Sequence, residues 1–168
     1  PVGGRGTWLA FARPRIERFA KRLMAAKSPV LAAGKGVMRQ GAMPELAEIS
    51  VRLQAPVVFA QDAIGVLPED HPFYAGYFAR NRPHPLCAEA LKGADLVLGV
   101  GLRAGTAEMT ELRARVPENL VLIGFDDVEE GRYRGDNERV ADPKLFLAAL
   151  LAWLGEYQRA SEAEVLAV

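Results

Sequence analysis

Asp95-Leu96-Val97-Leu98-Gly99-Val100-Gly101 is the stretch on which the fold turns. Its branched apolar side chains are interrupted only by glycine, so after Asp95 no position is polar enough to face water. That is the form of a β-strand covered on both faces. Such cover requires helices above and below the sheet, and therefore parallel strands joined by helical crossovers. A second run of the same kind, Pro29-Val30-Leu31-Ala32-Ala33, is bounded by proline on one side and by Gly34-Lys35-Gly36 on the other. These two most apolar strands belong at the centre of a sheet, next to each other.

Working outward, short apolar runs alternate with helical periodicity. Ile16, Phe19, Ala20 and Leu23 fall at i, i+3, i+4 and i+7, and Pro14 suits a first helical turn, so 14–26 is a predicted helix. Leu46, Ile49 and Leu53 mark a helix over 43–53, followed by a strand at 56–60. Beyond the turn-rich loop 61–72, residues 73–78 form a short third strand. A helix over 85–92 ends at Gly93, and Thr106 caps another through Arg115. Strands at 120–125 and 138–141 and a helix over 143–153 complete the pattern. With right-handed crossovers this predicts an α/β fold of three layers: a doubly wound, parallel, six-stranded sheet in the order 3-2-1-4-5-6.

The chain has 168 residues, half of them hydrophobic, enough for one domain with its own core. Basic and acidic residues balance at 21 each, which gives no net field to draw nucleic acid or an anionic membrane. No apolar run reaches the ~18–20 residues that span a bilayer. The single cysteine, Cys87, permits no intrachain disulfide, so a cytoplasmic location is expected. Residues 1–12 are expected as a linker or leftover lead, 13–155 as the domain, and 156–168 as a polar C-terminal linker.

In open parallel sheets ligands bind beyond the carboxyl ends of the strands, where the strand order reverses. Here the first and fourth strands flank the reversal, which brings Gly34-Lys35-Gly36 and Gly99-Val100-Gly101 to one crevice. Two readings stand for these glycines: close approach of backbone to a phosphorylated ligand, or tight strand-to-helix turns. The first loop is not a dinucleotide fingerprint, since Arg39 occupies the third glycine position. Arg103, two residues after Gly101, is placed to grip a diphosphate. Asp126 and Asp127 close the fifth strand and Asp142 the sixth, where carboxylates could accept from ribose hydroxyls; ahead of Pro143, Asp142 fits a helix cap better. His71 and His84 read as surface loop residues, Cys87 as a buried and inert thiol. No nucleophile, base and orienter set is recognisable.

Ser28-Pro29-Val30-Leu31-Ala32-Ala33-Gly34-Lys35-Gly36-Val37, then Gly65-Val66-Leu67-Pro68-Glu69-Asp70-His71-Pro72 with Tyr74-Ala75-Gly76, then Ala94 to Arg103, and finally Ala141-Asp142-Pro143 occur in an order that resembles the central domain of thiamine diphosphate-dependent enzymes of the acetolactate synthase, pyruvate oxidase and decarboxylase family. The resemblance implies a Rossmann-like, non-catalytic domain lying between a pyrimidine-binding and a diphosphate-binding domain. These flanking partners would hold thiamine diphosphate and Mg²⁺ in the parent, a homo-oligomeric 2-oxo acid carboligase or decarboxylase, a transferase or lyase. The resemblance places nucleotide contacts on Gly34, Gly36, Gly101, Arg103, Asp126 and Asp142. FAD, ADP and an empty crevice all stay open, because Ala104-Gly105-Thr106 stand where the acetolactate synthase branch often carries acidic residues. The competing reading is an independent dinucleotide-binding module of an NAD-using or electron-transfer protein, which leaves Gly65 to Pro72 unexplained.

Overall fold

A computed structural model describes residues 5–79, 81–103, 105–116, 120–124 and 138–160. The strands are β1 (Pro29–Ala33), β2 (Val57–Ala60), β3 (Tyr74–Phe78), β4 (Leu96–Leu102), β5 (Leu120–Gly124) and β6 (Glu138–Val140). They form one sheet in the order β3-β2-β1-β4-β5-β6. Every pairing is parallel, with Val30 opposite Val97 at the centre. All positions of β1, β2 and β4 are buried, as their lack of polar residues dictates.

The helices are α1 (Arg5–Ala25), α2 (Lys35–Arg39), α3 (Met43–Leu53), α4 (Pro85–Gly93), α5 (Ala107–Arg115) and α6 (Pro143–Leu154), with a 3₁₀ turn at Gln61–Ala63. Right-handed crossovers put α3 on one face and α4 and α5 on the other, because the chain moves outward from β1 to β3 and then in the opposite direction from β4 to β6. The last helix, α6, returns to the α3 face and packs on α1 and α3. The Phe19 and Phe146 rings meet there edge to face, with centroids 6.2 Å apart.

Local sequence accounts for the helix ends. Leu46, Ile49, Ser50 and Leu53 form the buried side of α3, and the Ser50 hydroxyl donates to the Ala47 carbonyl at 2.7 Å. The helix stops at Gln54, whose left-handed backbone (φ 48°) brings the Ala55 N–H to the Ser50 carbonyl at 2.9 Å. At α6 the Asp142 carboxylate accepts from the Leu145 N–H at 3.0 Å, ahead of Pro143 in the first turn.

The structure differs from the sequence expectations in three places. The first helix begins at Arg5 rather than near Pro14, so residues 5–12, expected as linker, are helical. Pro14 lies inside the helix instead of opening it. The Gly34-Lys35-Gly36 segment is not an open loop, since Lys35–Arg39 is a short helix capped at Gly34. Finally, within the expected C-terminal linker residues 156–160 are tied to the domain: the Arg159 N–H donates to the Arg52 carbonyl at 2.8 Å.

Candidate functional site

At the point where the strand order reverses, the chain leaves β1 at Gly34 and leaves β4 at Leu102, and the two exits touch. The Gly34 N–H donates to the Val100 carbonyl at 2.9 Å, which extends the β1–β4 ladder into the turn. A Cβ on Gly34 would lie 2.3 Å from the Gly101 carbonyl oxygen and 2.7 Å from the Leu102 Cα. Gly101 has φ +67°, and a Cβ there would meet the Val37 nitrogen at 2.6 Å and the Gly36 Cα at 3.0 Å. Backbone therefore packs on backbone, a spacing that only glycine allows. Gly34, Gly36 and Gly101 come together as the sequence led one to expect. Gly36 and Val37 are buried in the first turn of α2, while Lys35 is exposed beside them.

Arg103 follows β4 directly and is exposed. Its carbonyl accepts from the Thr106 hydroxyl at 3.1 Å, and that hydroxyl in turn accepts from the Met109 N–H at 3.2 Å, so the arginine stands on a segment anchored to the start of α5. Asp142 follows the sixth strand at the same edge of the sheet, with one carboxylate oxygen engaged in the α6 cap. Asp126 and Asp127 lie outside the described residues.

One feature of this edge has no signal in the sequence. Lys144, in the first turn of α6, donates to the Gly41 carbonyl at 3.0 Å and pairs with Glu45 at 2.5 Å, tying α6 to the corner between α2 and α3. The hydrogen bond from Lys144 holds the Glu45 carboxyl below the usual carboxylate range. The two residues are far apart in the chain, and nothing in either neighbourhood singles them out.

The loop after β2 closes the same edge. Its own Val66 and Leu67 are buried, and Gly65 turns it with φ +93°. Both histidines are partly exposed loop residues, as expected, and both also serve local structure. The His71 Nδ1 accepts from the Phe73 N–H at 3.2 Å, and the His84 Nδ1 from the Leu86 N–H at 3.3 Å, capping α4. The His84 ring also fills the space above Gly76, where a Cβ would sit 2.4 Å from its Cγ. Tyr74 lies edge-on to that ring, and burial, followed by Glu69 and Tyr77, raises its pKa. Among the described residues no cluster of side chains suits a metal ion, and no helix is long and apolar enough to cross a membrane.

A parallel doubly wound sheet whose two central strands end in interlocked glycine turns at the switch point defines a Rossmann-like α/β domain. Residues 16–150 match the family described as thiamine pyrophosphate enzyme, central domain, and the chain belongs to that family. A probable acetolactate synthase large subunit from Methanocaldococcus jannaschii is 30% identical over 142 residues, 83% of this chain and 24% of that protein. Glyoxylate carboligase from Escherichia coli O157:H7 is 28% identical over 153 residues, 90% of this chain and 26% of that protein. The chain thus spans about a quarter of the length of these curated relatives. The crystal structure of benzoylformate decarboxylase from Polynucleobacter necessarius superposes with a TM-score of 0.65 over 89% of this chain and 28% of its own. At 23% identity that likeness speaks for the fold alone.

Proposed function

We propose that this chain is the non-catalytic central domain of a thiamine diphosphate-dependent carboligase or decarboxylase resembling acetolactate synthase, and that its crevice holds ADP or the ADP part of FAD. The adjacency of the β1 and β4 ends, with Arg103 directly after β4, carries this reading. The Gly34 N–H is already engaged by Val100, so Gly34 would give close approach and not a donor. Arg103 would supply the charge for the diphosphate, and Asp126 and Asp142 would lie toward the adenosine end. Thiamine diphosphate and Mg²⁺ would be held by flanking pyrimidine-binding and diphosphate-binding domains of a homo-oligomeric, cytoplasmic parent.

The mutual packing of Gly34 and Gly101 favours one other reading. It explains both glycines without any ligand, and the domain would then be a spacer between the flanking domains. Calorimetric titration with FAD, ADP and NAD separates the two. Binding of FAD or ADP supports the nucleotide-holding domain, and Arg103→Ala should then weaken it by about ten- to a hundredfold through loss of a charge-assisted hydrogen bond. An affinity left unchanged by that substitution would show the site to be elsewhere. Binding of NAD alone would favour an independent dinucleotide module, and no binding at all the spacer.

A further inference from the structure

The carboxyl ends of α1 and α3 lead directly into the amino ends of β1 and β2, so they lie at the sheet edge opposite the glycine crevice. Each helix end leaves carbonyls without partners in its own ladder. At α1 these carbonyls are met by a residue from the far end of the chain. The Arg159 guanidinium donates from Nη1 to the Ala26 carbonyl at 2.6 Å and from Nη2 to the Leu23 carbonyl at 2.8 Å, with Met24 at 3.4 Å. The planar fork suits several carbonyls at once, and its charge suits the negative end of the helix.

The backbone of the same residue is held by α3. Its N–H donates to the Arg52 carbonyl at 2.8 Å, and its own carbonyl accepts from the Gln54 side-chain amide at 2.8 Å. Gly155, with φ +53°, turns the chain at the end of α6 so that Tyr157 lies against the core on the way. The ends of α1 and α3 are thereby joined through one residue, the side chain of Arg159 holding α1 and its backbone α3, a few residues beyond the end of α6. This segment lies beyond the family match, which ends at residue 150.

We propose that residues 155–160 form a strap with Arg159 as its latch, a locally opening unit that holds the departing chain at the edge opposite the crevice. A strap of this kind opens and closes without unfolding the sheet. Cleavage by chymotrypsin after Tyr157 and amide exchange at residues 157 and 159 report its open population, provided opening is fast relative to cleavage. In the full chain, Arg159→Ala should raise both by about ten- to a hundredfold, the loss expected for hydrogen bonds to a charged group. Amides of β1 and β4 should keep their protection. Arg159→Lys, which keeps the charge and loses the fork, should fall between wild type and alanine. Gln54→Ala, which removes only the hold on the Arg159 carbonyl, should raise both rates several-fold in a folded protein. Unchanged cleavage and exchange in Arg159→Ala would overturn the latch. If Arg159→Ala deprotected β4 as much as residue 157, or failed to fold while Gln54→Ala left the strap unaltered, the strap would not be a unit of its own.

Discussion

At Gly34 the environment permits no side chain, because everything near the missing Cβ is backbone from the neighbouring strand exit. Gly34→Ala must push β1 and β4 apart at their ends, and a loss of about 1 to 3 kcal/mol or more is expected in urea titrations. A fall under 0.5 kcal/mol, roughly the scatter of a neutral surface change, would mean that the turns have slack. Cys87 makes a second prediction. Burial in α4 pushes its thiol from about 9 up to about 11, against an opposing pull from Arg115. A raised folded pKa contributes stability that is present below the unfolded value and lost as pH rises through the folded one. Stability should therefore fall by up to about 3 kcal/mol between pH 9 and 11, and Cys87→Ala should flatten that limb. At pH 8 native Cys87 should react with iodoacetamide at least about a hundredfold more slowly than the unfolded chain. The burial of Cys87 was legible from its apolar neighbours. The locking of Gly34 against Gly101 was not, because a glycine in sequence does not tell whether a ligand or another backbone occupies the space it leaves.

Among the elements, strands with continuous apolar runs and the helices that start at Pro85, Thr106 and Pro143 were readable to within a residue or two, since burial and capping are both local in sequence. Elements whose cause lies elsewhere were not. The α2 helix is too short for periodicity to mark, and its place is set by contact with the β4 exit. The early start of α1 was hidden by Pro14, which usually opens a helix. The Glu45–Lys144 tie joins elements distant in sequence and shows up only when the fold is closed. Its carboxylate has a depressed folded pKa, so its stability is present above the unfolded carboxylate value near 4.3 and is lost as pH falls through the folded one. Glu45→Gln should cost roughly 0.5 to 1 kcal/mol at pH 7, with a smaller difference from wild type at pH 3. A difference that stays constant across that range would assign the effect to packing and not to charge.

For the whole molecule, the strand order followed from two apolar runs, and the family from segments spread along the chain from Ser28 to Pro143. Whether anything is held beyond the β1 and β4 ends did not follow, because glycines at a strand exit suit a tight turn as well as a bound phosphate. With the flanking domains carrying the chemistry in the proposed parent, this chain supplied with thiamine diphosphate, Mg²⁺ and pyruvate should form no acetolactate or acetaldehyde above background. Product that scales with its concentration would contradict that assignment. The pairing of β1 with β4 also has a consequence during synthesis. Pro29 pairs with Leu96, so a strand made early lacks one of its two neighbours until 67 further residues have been added. At about 5 to 20 residues per second that delay is roughly 3 to 13 s. Throughout it, one of the most apolar strands of the chain presents an open edge to its surroundings, and that interval is when a nascent chain of this design is most exposed to misassembly with its neighbours on the ribosome.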